Sequence, residues 1–343
     1  MANSNRPLAA ITSGDPNGVG YEVILKSLHE QHLLELLTPV IYGNIHVART
    51  TLKTLDESMH NMPINVIDNV SKAQEGKINL INCYQDDLPL KFGRSTKEAG
   101  TASLMALSRA VQDIKNKQID VLITAPINKE NIQSEKFHFS GHTEYLTQHF
   151  KSAMHDDSLM MMVSEQMRVA LVCNHVPLSK VPEHITEERI LSKLRVLNQT
   201  LKDDFIIGSP HIAVLALNPH AGDNGLIGTE ERDIIRPAIK RAYAEGIMAF
   251  GPYSADGFFG SGKYRHFEAI LGMYHDQGLI PFKSLDMDGV NFTAGLDIIR
   301  TSPDHGTAYE LAGKNEADPA SMRNAMYLAV DLWKVRQQQQ TTE

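Results

Sequence analysis

Residues 7–28, PLAAITSGDPNGVGYEVILKSL, decide the fold. An apolar run over 7–13 gives way, through a glycine-rich turn, to a segment patterned as a helix. Strand, tight turn and helix in that order form the first half of a parallel strand–helix–strand unit. The alternation continues downstream. PVIYGN (39–44), INVID (64–68) and INLINCY (78–84) read as strands. Residues 97–118 place Leu104, Leu107, Val111 and Ile114 at helical spacing, and IDVLITAPIN follows as a strand ending in a proline turn. The pattern predicts an α/β fold with mostly parallel sheets. One stretch differs: LMMMVSEQMRVALVCN sets two apolar runs around a polar connection, which predicts an antiparallel hairpin between about 158 and 174. Helices are predicted over 186–203 and 229–245, with a last one over about 319–337 and a fraying polar tail, RQQQQTTE.

The chain has 343 residues, 42% hydrophobic and 22% charged, enough for two domains or one large one. A net charge of −8 with no basic stripe excludes a general nucleic-acid binder. Local Lys and Arg residues can still hold an anionic small molecule. Cys83 and Cys173 both lie in apolar runs and read as buried small hydrophobes, not as a disulfide. No apolar stretch reaches membrane-spanning length, and MANSNRPLAAITSG lacks the features of a secretory leader. The expected location is the cytoplasm.

Three histidines follow apolar runs at 169–174, 212–217 and 269–274: His175 in ALVCNHVPL, His220 in VLALNPHAGDNG and His275 in AILGMYHDQG. Ligands bind outside the carboxyl ends of strands in open α/β sheets. Three neutral imidazoles with an open position hold a catalytic divalent metal. With 15 histidines in the chain, any one of them alone reads better as a surface or capping residue, and it is the shared context of the three that brings the metal reading level. In SGDPNGVG (13–20), Gly14, Gly18 and Gly20 either present helix N–H groups to an anion or simply make a tight turn. His142 and Thr143 in SGHTEYL (140–146) stand near a helix N-terminus, as an anion site or a cap. NPHAGDNGLIGTEE (218–231) is a turn-dense loop holding His220, Asp223 and Asn224. Asp256, in a small-residue loop of GPYSADGFF (251–259), is a candidate partner for a histidine or a substrate ammonium, or a turn former. Lys283, Asn291 and Arg300 together would clamp a phosphate or carboxylate, although each alone reads as a solvated side chain.

These segments resemble, in order and over residues 7 to about 330, the 4-hydroxythreonine-4-phosphate dehydrogenase family of vitamin B6 biosynthesis. The matching stretches are ITSGDPNGVGYEVILKSL, APINKE, SGHTEYL, CNHVPL, NPHAGDNGLIGTEE, GPYSADGFF, YHDQGLIPFK and the run from GVNFTAGL through ELAG. The resemblance implies an isocitrate/isopropylmalate-dehydrogenase-like fold of two α/β domains, 1–130 with 300–343, and 131–299, with the active site in the cleft between them. It implies a homodimer whose subunits share each site. It implies a divalent metal (zinc, cobalt or magnesium) on His175, His220 and His275, and substrate contacts at His142, Thr143, Lys283, Asn291 and Arg300. The HGTA turn, His305, Gly306, Thr307 and Ala308, resembles the loop that receives the adenosine end of NAD, and NAD or NADP is expected. Asp256 and Lys283, with a metal-held hydroxide, are the candidate bases. The implied reaction is oxidation and decarboxylation of 4-phosphohydroxy-L-threonine, with phosphorylated sugar acids such as 4-phosphothreonate or 4-phosphoerythronate as alternative substrates. SLDMDGV, which brings Asp286 and Asp288 between two of the expected contacts, is about one residue shorter and more acidic than the family form.

Overall fold

A computed structural model describes residues 5–152 and 157–342, the side chains of 341 and 342 excepted. Among the described residues the strands, in chain order, are β1 (Leu8–Thr12), β2 (Thr38–Gly43), β3 (Ile64–Ile67), β4 (Ile78–Asn82), β5 (Val121–Thr124), β6 (Leu159–Val163), β7 (Arg168–Leu171), β8 (Ile212–Leu215), β9 (Ala249–Tyr253), β10 (Ala269–Gly272), β11 (Val290–Ala294) and β12 (Ile299–Pro303). The chain forms two compact units: residues through His149 with Ile298–Lys334, and Phe150–Asp297 with residues from Val335 onward.

In the first unit the strand order is β3-β4-β2-β1-β5-β12 and every pair is parallel. Parallel sheets are covered on both faces by their crossover helices, so their strands are apolar throughout and do not alternate. β2 and β5 are accordingly buried at every residue. The helix Lys97–Lys115 covers one face with Ala102, Ala106, Ala110 and Val111, and the Thr96 side chain caps it by accepting from the Ala99 N–H. The apolar spacing of 97–118 is therefore a true helix signal.

In the second unit the order is β11-β6-β7-β10-β8-β9. β6 runs antiparallel to both of its neighbours, which includes the expected hairpin with β7, and the remaining pairs are parallel. One face supplies Met160, Met162, Val169, Leu171, Ala213, Leu215 and Ile270 to a cluster that also holds Phe258, Leu279 and Phe282. The last three belong to two short helices, Ala255–Gly260 and His275–Leu285. Each such side chain contributes roughly 1.5–3 kcal/mol on burial. That is enough to fix the helices that begin beside Asp256 and His275.

Several expectations change. Asp256 lies within the helix Ala255–Gly260, not in a loop, because Phe258 anchors that segment in the core. The last helix runs on to Thr342. Its end is tied down by a two-pronged Arg336–Asp204 ion pair and by Gln339 donating to the Asp203 carbonyl, so the RQQQQ segment stays helical. Residues 131–149 group with the first unit and those from Val335 with the second. Both cysteines are free, but only Cys173 is fully buried, and Cys83 sits just past β4 and is half-buried. No described helix is long and apolar enough to cross a membrane.

Gly278 lets the helix His275–Leu285 lie on β7, since a Cβ there would meet Leu171 Cδ2 at 2.7 Å and Val169 Cγ1 at 2.8 Å. Gly278→Ala should destabilise the protein by roughly 1–3 kcal/mol through overpacking. Urea denaturation measures this, and an unchanged midpoint would refute the close approach.

Candidate active site

β7, β10, β8 and β9 are lateral neighbours and mutually parallel, so their carboxyl ends open on one edge of the sheet. The chain leaving β7 reaches His175, that leaving β10 reaches His275, that leaving β8 reaches His220, and that leaving β9 reaches Asp256. Adjacent strands lie about 4.8 Å apart, so four polar side chains issue from a short row. The contacts follow this order. The rings of His175 and His275 stand 5.7 Å apart between centroids. His275 Nδ1 lies 2.8 Å from Asp276 Oδ1. A carboxylate only accepts, so Nδ1 carries the proton and Nε2 keeps its lone pair for a ligand. The Ser254 hydroxyl donates to Asp256 Oδ1 at 2.6 Å. That bond, then the Gly257 N–H and more weakly the charge of His220, hold the Asp256 carboxyl below its usual range. Lowered basicity makes Asp256 a poor general base and a good fixed negative charge beside His220.

One further residue braces this edge. Gln277 Oε1 accepts from the Met273 N–H at 2.7 Å, and its Nε2 donates to the Ala216 carbonyl at 2.6 Å, which ties the start of the His275 helix to the end of β8. His220 opens a run of left-handed backbone, with φ of 51°, 53°, 77°, 42° and 56° at residues 220–224. An ordinary L-residue gives up roughly 1–2 kcal/mol in that region, with Gly, Asn and Asp the tolerant types. The run contains Gly222, Asp223 and Asn224, but His220 and Ala221 bear the strain.

In the first unit, Arg300 on β12 is buried, 3% exposed, and both Nε and Nη2 reach Thr124 Oγ1 on β5, at 3.2 and 2.7 Å. Burial lowers its pKa to about 10, with the Glu144 carboxylate opposing the shift, so the guanidinium stays charged at neutral pH. His142 opens the helix His142–Phe150. Burial first, then the charges of Arg300 and Lys129, hold its pKa well below 6.5. The residue as a whole is only half-buried, but its Nε2 is enclosed and has no hydrogen-bond partner. A neutral imidazole therefore stands in the field of a buried cation.

The turn 13–20 is not an anion cradle. Every residue in it is buried, and a Cβ on Gly14 would fall 2.2 Å from the Pro126 carbonyl and one on Gly18 2.7 Å from that of Thr307. Its glycines admit the chain's own backbone. What the turn does is support the HGTA segment. Val19 N–H donates to the Thr307 carbonyl at 3.0 Å, and the buried Asp15 carboxylate accepts from the Tyr309 hydroxyl at 2.7 Å and from Asn131 Nδ2 at 2.8 Å. Within that segment Gly306 faces open space and His305 Nε2 is enclosed without a partner.

Enclosed polar atoms that lack partners cost roughly 1–3 kcal/mol each and mark places that a ligand would complete. Besides His142 and His305 they include Asn291 Oδ1 on β11 and Asn174 Oδ1 beside His175. Lys283 lies on the same helix as His275. For a metal, the donor chemistry and the row of strand ends fit three imidazoles, but among the described residues no three potential ligands stand close enough to enclose an ion. The structure thus brings the rings of His175 and His275 together, and sets Asp256 in the field of His220 and His142 in the field of Arg300. Asn174, Gln277, Glu231 and Asp15 escaped the sequence reading as individual residues. Only Asp15 and Glu231 carried a signal there, each falling inside a segment already marked by its glycines.

The family model for the pyridoxal phosphate biosynthetic protein PdxA matches residues 35–329. A 4-hydroxythreonine-4-phosphate dehydrogenase from Bacteroides thetaiotaomicron is 49% identical, over 98% of this chain and 91% of that protein. A relative from Oceanobacillus iheyensis, 37% identical over 96% of this chain and 98% of its own, bears the name D-threonate 4-phosphate dehydrogenase, marked there as unproven. The crystal structure of 4-hydroxythreonine-4-phosphate dehydrogenase from Klebsiella pneumoniae superposes with a TM-score of 0.82 at 32% identity, covering 97% of this chain and 99% of that one. The chain belongs to the PdxA family of pyridoxal phosphate biosynthetic proteins and is an oxidoreductase.

Proposed function

We propose that this protein oxidises the secondary alcohol of 4-phosphohydroxy-L-threonine with NAD or NADP, aided by a divalent metal, and that the keto acid formed loses carbon dioxide to give 3-amino-2-oxopropyl phosphate. The observation that carries this reading is the row of His175, His275, His220 and Asp256 at neighbouring strand ends. His175, His220 and His275 would hold the metal, and three imidazoles suit zinc or cobalt better than magnesium. When bound, the dinucleotide supplies the hydride acceptor and the metal supplies fixed positive charge where the alcohol oxygen gains electron density. Hydride leaves the carbinol carbon and the hydroxyl proton passes to a base, for which Lys283, Asp256 and a metal-held hydroxide are the candidates. The product is a ketone β to a carboxylate. Carbon dioxide departs, its bonding electrons pass into the ketone as an enolate, and the enolate takes up a proton at carbon.

Arg300, permanently charged and already oriented by Thr124, is the anchor for the substrate's anionic end, with His142 and Thr143 beside it. Asn291 Oδ1 is free to accept from a substrate donor. His305, Gly306, Thr307 and Ala308 would receive the nucleotide. The D-threonate 4-phosphate name of one relative supports a second reading, in which the same residues act on a phosphorylated sugar acid that has no amine. We further propose a homodimer working in the cytoplasm, with each site completed by the partner. The exposed apolar side chains Leu226, Ile280 and Met287 of the second unit support self-association, and light scattering in solution tests it.

NAD(P)H formation from 4-phosphohydroxy-L-threonine should be abolished by a chelator and restored by zinc or cobalt. Turnover of 4-phospho-D-erythronate alone would move the protein to the second reading. His220→Ala should eliminate turnover and bound metal without unfolding the chain, and full activity would dismiss the three-histidine site. Arg300→Ala should raise KM for substrate roughly 10- to 100-fold, the scale of one lost charge-assisted bond. A depressed imidazole pKa adds stability above the unfolded value, near 6.5, that is lost as pH falls towards the folded value. His142→Asn should therefore flatten the pH dependence of stability below pH 6.5, as read by denaturant titration.

A further inference from the structure

We infer that Glu231 is the positioning residue that holds His220 in its left-handed turn, and so sets where that imidazole stands. The geometry is independent of the metal reading, while its consequence for metal binding rests on it. Glu231 is 2% exposed, deep for a carboxylate. Its Oε1 accepts from the backbone N–H groups of Leu217 and Asn218, at 2.9 and 2.7 Å, and its Oε2 accepts from Asn218 Nδ2 at 3.0 Å. Those N–H groups belong to the first residues beyond the ladder of β8. One carboxylate thus stops the strand and turns the chain.

The turn then wraps round the same carboxylate. A Cβ on Gly222 would lie 2.5 Å from Glu231 Oε2, so the chain closes there only because residue 222 has no side chain. The closure is completed by Ile227 N–H donating to the Gly222 carbonyl at 3.1 Å and Leu226 N–H to that of Asp223 at 3.2 Å. Between the clamped Asn218 and His220 stands a single residue, Pro219, whose ring fixes φ. Little rotational freedom separates the clamp from the imidazole. Asn218 Nδ2 also donates to Glu230 Oε2 at 2.7 Å, which holds the clamp from a second side.

The test uses the full-length chain with Glu231→Ala and Glu231→Gln, read by amide hydrogen exchange over 217–225, by cobalt(II) titration and by thermal melting. Glu231→Ala should speed exchange of the Leu217 and Asn218 amides while leaving the other strands protected. It should also weaken cobalt roughly 10- to 100-fold, the range for loss of an outer partner of a metal ligand, and reduce the visible absorption of four-coordinate cobalt. Glu231→Gln, which keeps one acceptor oxygen, should show the same changes at smaller size, and it decides the matter if the alanine variant does not fold. Unchanged exchange at 217–218 in both variants overturns the clamp. Loosened exchange with unchanged cobalt affinity overturns its role in setting His220. A wild-type chain that takes up no cobalt overturns the metal reading instead, and the exchange result then still decides the clamp.

Discussion

Parallel pairing of β7, β10, β8 and β9 is the constraint on which the rest of the second unit depends. Backbone hydrogen bonding aligns the strand directions, and alignment alone delivers His175, His275, His220 and Asp256 to one edge in a set order. Nothing in the spacing of those residues along the chain requires it. Side-chain packing then refines what the backbone imposes. Phe258 and Phe282 seat the helices that follow β9 and β10, Gln277 ties two strand ends together, and Glu231 bends the chain after β8. The polar residues sit on an apolar base that has no freedom to shift.

The first unit holds a cation in a place with little water. Arg300 loses hydration on burial and recovers part of it from Thr124 and the nearby Glu144 charge. The neighbouring His142 answers by staying neutral. An anion entering that field would regain what desolvation removed from the arginine. Asp15 plays a structural part of the same kind. Its buried charge is met by Tyr309 and Asn131, and the turn it stabilises sets the height of the HGTA backbone.

The α/β alternation was legible because buried parallel strands are apolar along their whole length and their helices carry a clear period, as 97–118 did. The β6–β7 hairpin was legible from a polar break between two apolar runs. The histidines were legible by position, since a strand end is a local property of sequence. Their lateral order was not, because β10 inserts between β7 and β8 and adjacency across a sheet has no local signature. The turn at 13–20 stayed open between two readings for a related reason: glycine reports that something comes close without saying whether it is a ligand or the chain itself. Glu231 was read only as part of a turn-rich segment, and its three acceptor contacts depend on where β8 ends. The RQQQQ tail looked loose because the Asp203–Asp204 pair that holds it lies more than a hundred positions earlier.

The pairing of β5 with β12, Val121 against Ile299, bears on how the chain emerges from the ribosome. The strands of the second unit are all complete in sequence by Ala294, before β12 has been made. The strands of the second unit can therefore pair while the first unit still lacks its last strand. Once they have done so, they gather the long excursion between β5 and β12 into a compact body, and the entropy of closing that loop falls. Pairing within the second unit thus lowers the entropy that β12 must give up to reach β5.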